Sequence, residues 1–247
     1  MKVDYPFSVL SYETDFRRWM KPAALQNRIQ ELAYLASEAG GASYSVLRSR
    51  GLFWALNRIH IQVDEWPLWG DELKLQTWLF ERTGPLYQRQ FILQRGNEVL
   101  MKATSSWTLL TIENRMICRE LVYPAELMEP ECVLPNCEKT LPPAGMAMEA
   151  AGCHDVVYSD LDSNKHVNNC IYLQWAMDLM GLDFLSAHRL TDIRTGYYRE
   201  IHPGERVEFF LGTDGADRYV EGRIGEERSF CIQLTFRGAP ARTRSVY

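Results

Sequence analysis

From Ile171 to Leu185 the chain sets apolar side chains on nearly every side of a would-be helix: Ile171, Tyr172, Leu173, Trp175, Met177, Leu179, Met180 and Leu182. A helix with no polar stripe must be buried on most of its surface. The reading is one helix from about residue 168 to 186, and something has to wrap it. The remaining pattern supplies sheets. Ile59, Ile61 and Val63 alternate with Arg58, His60 and Gln62, and Leu73, Leu75, Thr77 and Leu79 alternate in turn. Phe91 and Leu93 lead to Gly96-Asn97, a two-residue hairpin signal, and Val99, Met101, Ala103, Ser105, Trp107 and Leu109 form the return strand. Ahead of these strands, residues 7 to 20 read as an opening strand and loop. Pro22 then starts an amphipathic helix through Leu25, Ile29, Leu32, Ala33 and Ala36, which Gly40-Gly41 stops.

The second half repeats that order. A short strand from His154 to Tyr158 precedes the apolar helix. Strands through Val207, Phe209 and Leu211, then Tyr219 to Ile224, then Phe230, Ile232, Leu234 and Phe236 follow it. Gly70-Asp71-Glu72-Leu73-Lys74-Leu75 and Gly204-Glu205-Arg206-Val207-Glu208-Phe209 match in place and character, an internal duplication at the level of pattern. Pro124, Pro130, Pro135, Pro142 and Pro143 resist both helix and central strand, so the stretch between the halves reads as a surface linker. The expected organisation is α+β: residues 1–123 as one unit, 124–150 as linker and 151–247 as a second unit.

Composition excludes several functions. The chain is 46% hydrophobic and 24% charged, ordinary for a globular protein, and its net charge of −5 argues against nucleic acid as a partner. Arg17, Arg18, Lys21 and Arg28, with Arg48, Arg50 and Arg58, form local basic groups that read as solvated surface or as a patch for an acidic partner. No apolar run reaches the ~18 residues that span a bilayer, and no signal-peptide core is present. The cysteines (118, 132, 137, 153, 170, 231) show neither paired nor metal-ligand spacing, which implies reduced thiols in the cytoplasm.

Chemistry-bearing residues crowd immediately before the apolar helix: Asp160, Asp162, Asn164, His166, Asn168 and Asn169. Asp and Asn build turns and caps for local reasons, so part of this cluster is expected to be structural. Asn168 or Asn169 can cap the helix, whose positive end then faces the polar loop. His60 and His202 read as strand and turn residues, His188 as a helix-end residue, and Cys170 as packing.

The string Asp162-x-Asn164-x-His166-Val167-Asn168-Asn169-x-x-Tyr172-x-x-Trp175 resembles the signature of acyl-acyl carrier protein thioesterases. Asn27-x-x-Gln30-Glu31, Trp54-x-x-x-Arg58, Val63-Asp64-x-x-Pro67-x-Trp69-Gly70-Asp71, Ala103-Thr104-Ser105-x-Trp107 and Tyr198-Arg199-Glu200 extend the likeness along the chain. The resemblance implies two tandem hot dog units, each a long helix wrapped by an antiparallel sheet, joined into one larger sheet. It implies hydrolysis of fatty acyl thioesters on acyl carrier protein, an acyl-chain cavity in the first unit and catalysis in the second. Catalytic residues would be Asp162, Asn164, His166 and Glu200, with either carboxylate as base, and no metal or cofactor. Plant members carry a cysteine after that glutamate; here the position is Ile201, which can be neither nucleophile nor acid. The carrier protein would be the partner, with no nucleic acid or membrane, and the enzyme a monomer or homodimer. Competing expectations are an acyl-CoA thioesterase, a non-catalytic acyl-binding protein on the same fold, and a metal hydrolase built on His154, Asp155, Asp160 and His166.

Overall fold

The computed structural model describes residues 1–120, 122–135 and 138–238, so Cys137 and part of the proline-rich stretch lie outside the described residues. The chain divides into two compact units, Met1–Lys139 and Thr140–Tyr247.

The first unit contains β1 (Lys2–Ser8), α1 (Pro22–Ala39), α2 (Tyr44–Ser49), β2 (Leu52–Val63), β3 (Glu72–Thr83), β4 (Leu86–Arg95) and β5 (Glu98–Thr111). Its strands are ordered β1-β3-β4-β5-β2, antiparallel throughout. α1 follows the sequence reading: Pro22 stands in the first turn, and the Gly40 N–H bonds back to the Ala36 carbonyl at the end. It buries Leu25, Ile29, Leu32, Ala33 and Ala36. Burying a leucine or isoleucine fully contributes ~1.5–3 kcal/mol, so this face holds the helix in place. Leu79, Arg89, Ser105 and Ile59 stand opposite one another across β3, β4, β5 and β2. Two small cavities lie along that row under α1. One is bordered by Ala36, Gly40, Leu79, Arg89 and Tyr123, the other by Gln26, Ile29, Ile59, Ser105 and Trp107. β1 begins at Lys2, earlier than expected. The unexpected α2 starts where the Ser43 hydroxyl accepts the Val46 N–H at 3.3 Å.

The second unit contains β6 (Glu149–Asp155), α3 (Asn169–Asp178), α4 (Leu182–Ala187), β7 (His188–Tyr197), β8 (Arg206–Asp214), β9 (Asp217–Ile224) and β10 (Glu227–Gly238). Its strand order is β7-β10-β9-β8-β6, again antiparallel. The single long helix expected here is two helices. Gly181, at φ 76°, turns the chain between them, and Leu182 beyond the break is 70% exposed. α3 does bury Tyr172, Leu173, Trp175 and Ala176, with Tyr172 and Trp175 against Phe230 and Phe209 at ring-centroid distances of 4.9 and 5.6 Å. β6 replaces the strand expected from His154 to Tyr158; Tyr158–Asp160 is instead a 3-10 turn. β7 was not expected. It starts directly after α4 without a Gly or Pro, and Arg189, Asp192 and Arg194 interrupt its apolar alternation.

The duplication extends to single hydrogen bonds. In the first unit the Arg17 and Trp19 N–H groups donate to Asp15 Oδ1, Asp15 N–H to the Trp19 carbonyl, and Arg18 has φ 69°. In the second, the Asn164 and His166 N–H groups donate to Asp162 Oδ1, Asp162 N–H to the His166 carbonyl, and Lys165 has φ 64°. Met20 N–H meets the Pro67 carbonyl as Val167 N–H meets that of Ile201. Asp71 accepts the Leu68 N–H as Glu205 accepts that of His202. Each unit is thus one helix-on-sheet module of the hot dog kind with the same carboxylate-tied loop before its helix.

Candidate active site

The loop from Asp160 to Asn169 and the segment from Tyr198 to Glu205 together form the site in the second unit. Asp160 is buried and accepts hydrogen bonds from His154 Nε2 and the Val157 N–H, both at 2.8 Å. Its counterpart Glu13 accepts the Leu10 N–H at 2.9 Å in the same way. Asp160 therefore shapes the turn. Asn168 caps α3 by accepting the Cys170 N–H at 2.9 Å, and the Ile171 N–H bonds to the Asn168 carbonyl. Those two first-turn donors are thus already engaged.

Of the four predicted catalytic residues, His166 and Glu200 are the pair that the structure brings together from the two segments: Nε2 lies 3.6 Å from Oε2, with both side chains half-buried. Asp162 Oδ1 accepts the backbone N–H groups of Asn164 at 2.8 Å and His166 at 3.3 Å, so this carboxylate ties the loop. The exposed Asn164 side chain reaches Asp162 Oδ2 only at 3.4 Å, a weak bond that leaves its amide available as a donor.

The first unit acts as an internal control. It keeps the same loop, with Asp15 making the same bonds as Asp162, yet it carries Trp19 and Trp66 where the second unit has His166 and Glu200. An aspartate present in both loops is explained by the loop. The histidine and the glutamate, present only in one, are not.

The structure adds a residue that the sequence reading left as a turn. The exposed His202 ring stands perpendicular to His166 with centroids 4.8 Å apart. One ligating atom each of His166, Glu200 and His202 falls within 4.8 Å of the others, which makes these three the residues able to hold a metal ion among those described. The spacing Glu200-x-His202 is visible in the sequence, but its approach to His166 depends on the Val167–Ile201 backbone bond. The alternative set of His154, Asp155, Asp160 and His166 is not gathered. His154 bonds Asp160, Asp155 meets Arg206 at 3.2 Å, and His166 faces Glu200. Ile201 is fully buried, so a side chain at that position points into the core and away from the polar site.

Several basic residues near the start are committed within the first unit. Arg17 pairs with Asp15, Arg28 with Glu13 and Arg50 with Glu120, while Arg18 stacks on Trp69 and Arg48 on Tyr44. Among the described residues, no helix is long and apolar enough to cross a membrane.

Comparisons with known proteins agree with this architecture. The acyl-ACP thioesterase N-terminal domain family matches residues 1–125, and the acyl-ACP thioesterase C-terminal domain family matches residues 149–229. A chloroplastic palmitoyl-acyl carrier protein thioesterase of Gossypium hirsutum is 28% identical over 213 residues, covering 78% of this chain and 51% of its own length. Oleoyl-acyl carrier protein thioesterase 2 of Arabidopsis thaliana, also chloroplastic, is 25% identical over 248 residues, covering 90% and 66%. The chain thus spans about half to two thirds of the length of such curated relatives. An acyl-ACP thioesterase from Bacteroides thetaiotaomicron shares the fold with a TM-score of 0.88 at 20% identity, covering 96% of this chain and 98% of that one. The 12:0-ACP thioesterase from Umbellularia californica does so with a TM-score of 0.83 at 19% identity, covering 96% and 98%. By both of its domains, the chain belongs to the acyl-ACP thioesterase family.

Proposed function

We propose that this chain hydrolyses the thioester of fatty acyl-acyl carrier protein, with Glu200 as general base and His166 as its partner. The observation that carries the assignment is the internal control: the aspartate of the loop is common to both units, whereas the histidine–glutamate pair occurs only in the second. The names of the relatives support the carrier protein thioester as substrate.

The gap of 3.6 Å between His166 and Glu200 exceeds a good direct hydrogen bond, and both groups can reach one water seated beside them. In this mechanism Glu200 takes a proton from that water as its oxygen attacks the thioester carbonyl. The Asn164 amide donates to the developing oxyanion, a contribution of the kind worth ~10²–10³ in rate. Collapse of the tetrahedral intermediate breaks the C–S bond, and the proton held by Glu200 passes through His166 to the departing thiolate, leaving free fatty acid, the carrier thiol and an ionised Glu200. Asp162 acts through the backbone, holding Asn164 and His166 in place.

The first unit would receive the acyl chain between α1 and its sheet, where the two small cavities follow one strand-crossing row. The five described cysteines are free thiols, in keeping with a cytoplasmic enzyme working where acyl chains are built.

Thiol release should be measured from carrier protein and CoA thioesters of several chain lengths. Release from the carrier protein thioester should be the faster, and Glu200→Gln should lower it by ~10²-fold or more. Better use of CoA would make the chain an acyl-CoA thioesterase. A fully active Glu200→Gln with a crippled Asp162→Asn would move the base to Asp162, and no release from any donor would leave an acyl-binding protein.

A further inference from the structure

We infer that His166, Glu200 and His202 form a reversible site for a divalent ion of the zinc class, and that filling it switches hydrolysis off. The donor set, two imidazoles and one carboxylate, is one that zinc accepts in three-ligand sites with water in the fourth position. With metal–ligand bonds of about 2.1 Å, tetrahedral ligand atoms sit roughly 3.4 Å apart. His166 Nε2 and Glu200 Oε2 are 3.6 Å apart, and all three donor atoms lie within 4.8 Å of one another. The exposed His202 side chain is the member of the three with room to turn toward the other two.

The backbone beneath the three donors is fixed from several sides. Ile201, between Glu200 and His202, is fully buried, and its carbonyl accepts the Val167 N–H at 2.9 Å. The His202 N–H donates to Glu205 at 2.7 Å, and Arg199 in turn binds Glu205. The His166 N–H is held by Asp162 at 3.3 Å. Ligands carried on anchored backbone lose little freedom when an ion binds, which favours affinity. The arrangement is also not a by-product of the fold. The equivalent positions of the first unit are Trp19, Trp66 and Leu68, none of which ligates a metal. The second unit's other histidine–carboxylate pair, His154 with Asp160, lacks a third donor in the described structure.

Imidazole selects late first-row ions over magnesium or calcium. A bound ion takes the Nε2 lone pair of His166 and an oxygen of Glu200, the groups that must otherwise handle the water's proton. Only this inhibitory half rests on the proposed function; binding itself does not.

Zinc ion should therefore be titrated into the full chain without substrate, in competition with a chromophoric chelator. One equivalent should bind. His202→Ala should weaken binding by at least about tenfold, the scale on which even outer-shell losses register. A Cys132→Ser/Cys153→Ser variant, lacking the two exposed thiols, should bind as the parent does. Unchanged affinity in His202→Ala, or loss of binding with the cysteines, would overturn the site. In thiol-release assays the quantity compared is the ratio of rates with and without zinc in each protein. That ratio should fall at least tenfold in the parent, recover with a chelator, and stay near one in His202→Ala at the same zinc concentration. Stimulation by zinc would overturn the switch and indicate a metal-activated hydrolase. Absence of hydrolysis from every donor would count against the proposed function, while the titration would still decide the site.

Discussion

Cys170 sits two residues past the cap of α3, within reach of the motif by sequence alone, yet its surroundings remove it from the chemistry. It is almost fully buried, and burial pushes its thiol well above the ordinary cysteine range. A thiol held protonated is neither nucleophile nor alkylation target. Cys170→Ala should keep hydrolysis within a few-fold of the parent, and iodoacetamide at neutral pH should leave Cys170 unlabelled while labelling Cys153; labelling at Cys170 with loss of activity would reverse this. Single residues were also where sequence reading met its limit. The string from Asp162 to Trp175 pointed to the candidate site, and residue type alone offered Asn168 or Asn169 as the cap, of which the structure uses Asn168. That Asp162 Oδ1 ties the Asn164 and His166 N–H groups is local, but that His202 turns toward His166 depends on the Val167–Ile201 bond between segments more than thirty residues apart. No local pattern encodes them.

At the scale of elements, α1 and the sheet beneath it enclose a group that a cavity for hydrocarbon would not ordinarily contain. Arg89, on β4, is 6% exposed, and the group nearest its charge is the Tyr123 hydroxyl. Burial lowers its pKa, although a guanidinium remains charged. Among the described residues no carboxylate pairs with it; such a buried cation costs stability, and replacing it with an apolar group is often neutral or stabilising. Arg89→Met should therefore raise or preserve the melting temperature. If the acyl chain runs under α1 as proposed, the same change should shift kcat/KM toward longer chains. The reason is that each added methylene, worth ~0.8 kcal/mol on burial, would then meet thioether in place of guanidinium. An unaltered chain-length profile would place the chain elsewhere. α1 was legible because Pro22, its apolar stripe and Gly40 all agree. The apolar second helix was legible in character but not in continuity, since a glycine inside an apolar run does not announce φ 76°. β7 stayed hidden because its charged residues break the alternation that marks a half-buried strand.

For the whole molecule, the duplicated architecture was readable from the matching glycine-led strands, and the hydrogen-bond equivalence shows why: both units solve the same loop-before-helix problem. Their titrating groups differ, and those of the second unit give the fold a pH dependence that can be tested. Burial pushes Glu221 up, but hydrogen bonds from Arg223 and Arg228 outweigh it and hold the carboxyl below its usual value of 4.5. A bond from Arg199 does the same for Glu205. A carboxyl depressed in the folded state contributes stability above its unfolded pKa, and that contribution fades as pH falls through the folded value. The opposite limb belongs to the buried thiols. Burial drives Cys231 up to about 12 and raises Cys170 as well, from an ordinary value of 9.0. Groups raised in this way contribute stability below their unfolded pKa and lose it as pH climbs toward the folded one. Denaturant melts across pH should therefore show a plateau between about pH 5 and 8.5, an acid limb that Glu221→Gln flattens, and an alkaline limb that Cys231→Ala flattens. Because Glu221 is 1% exposed and faces two arginines, Glu221→Gln should also lower the plateau, since it leaves both guanidiniums without their shared anion. A Glu221→Gln protein with the parent's plateau and the parent's acid limb would show that this ion triad does not govern the acid stability of the fold.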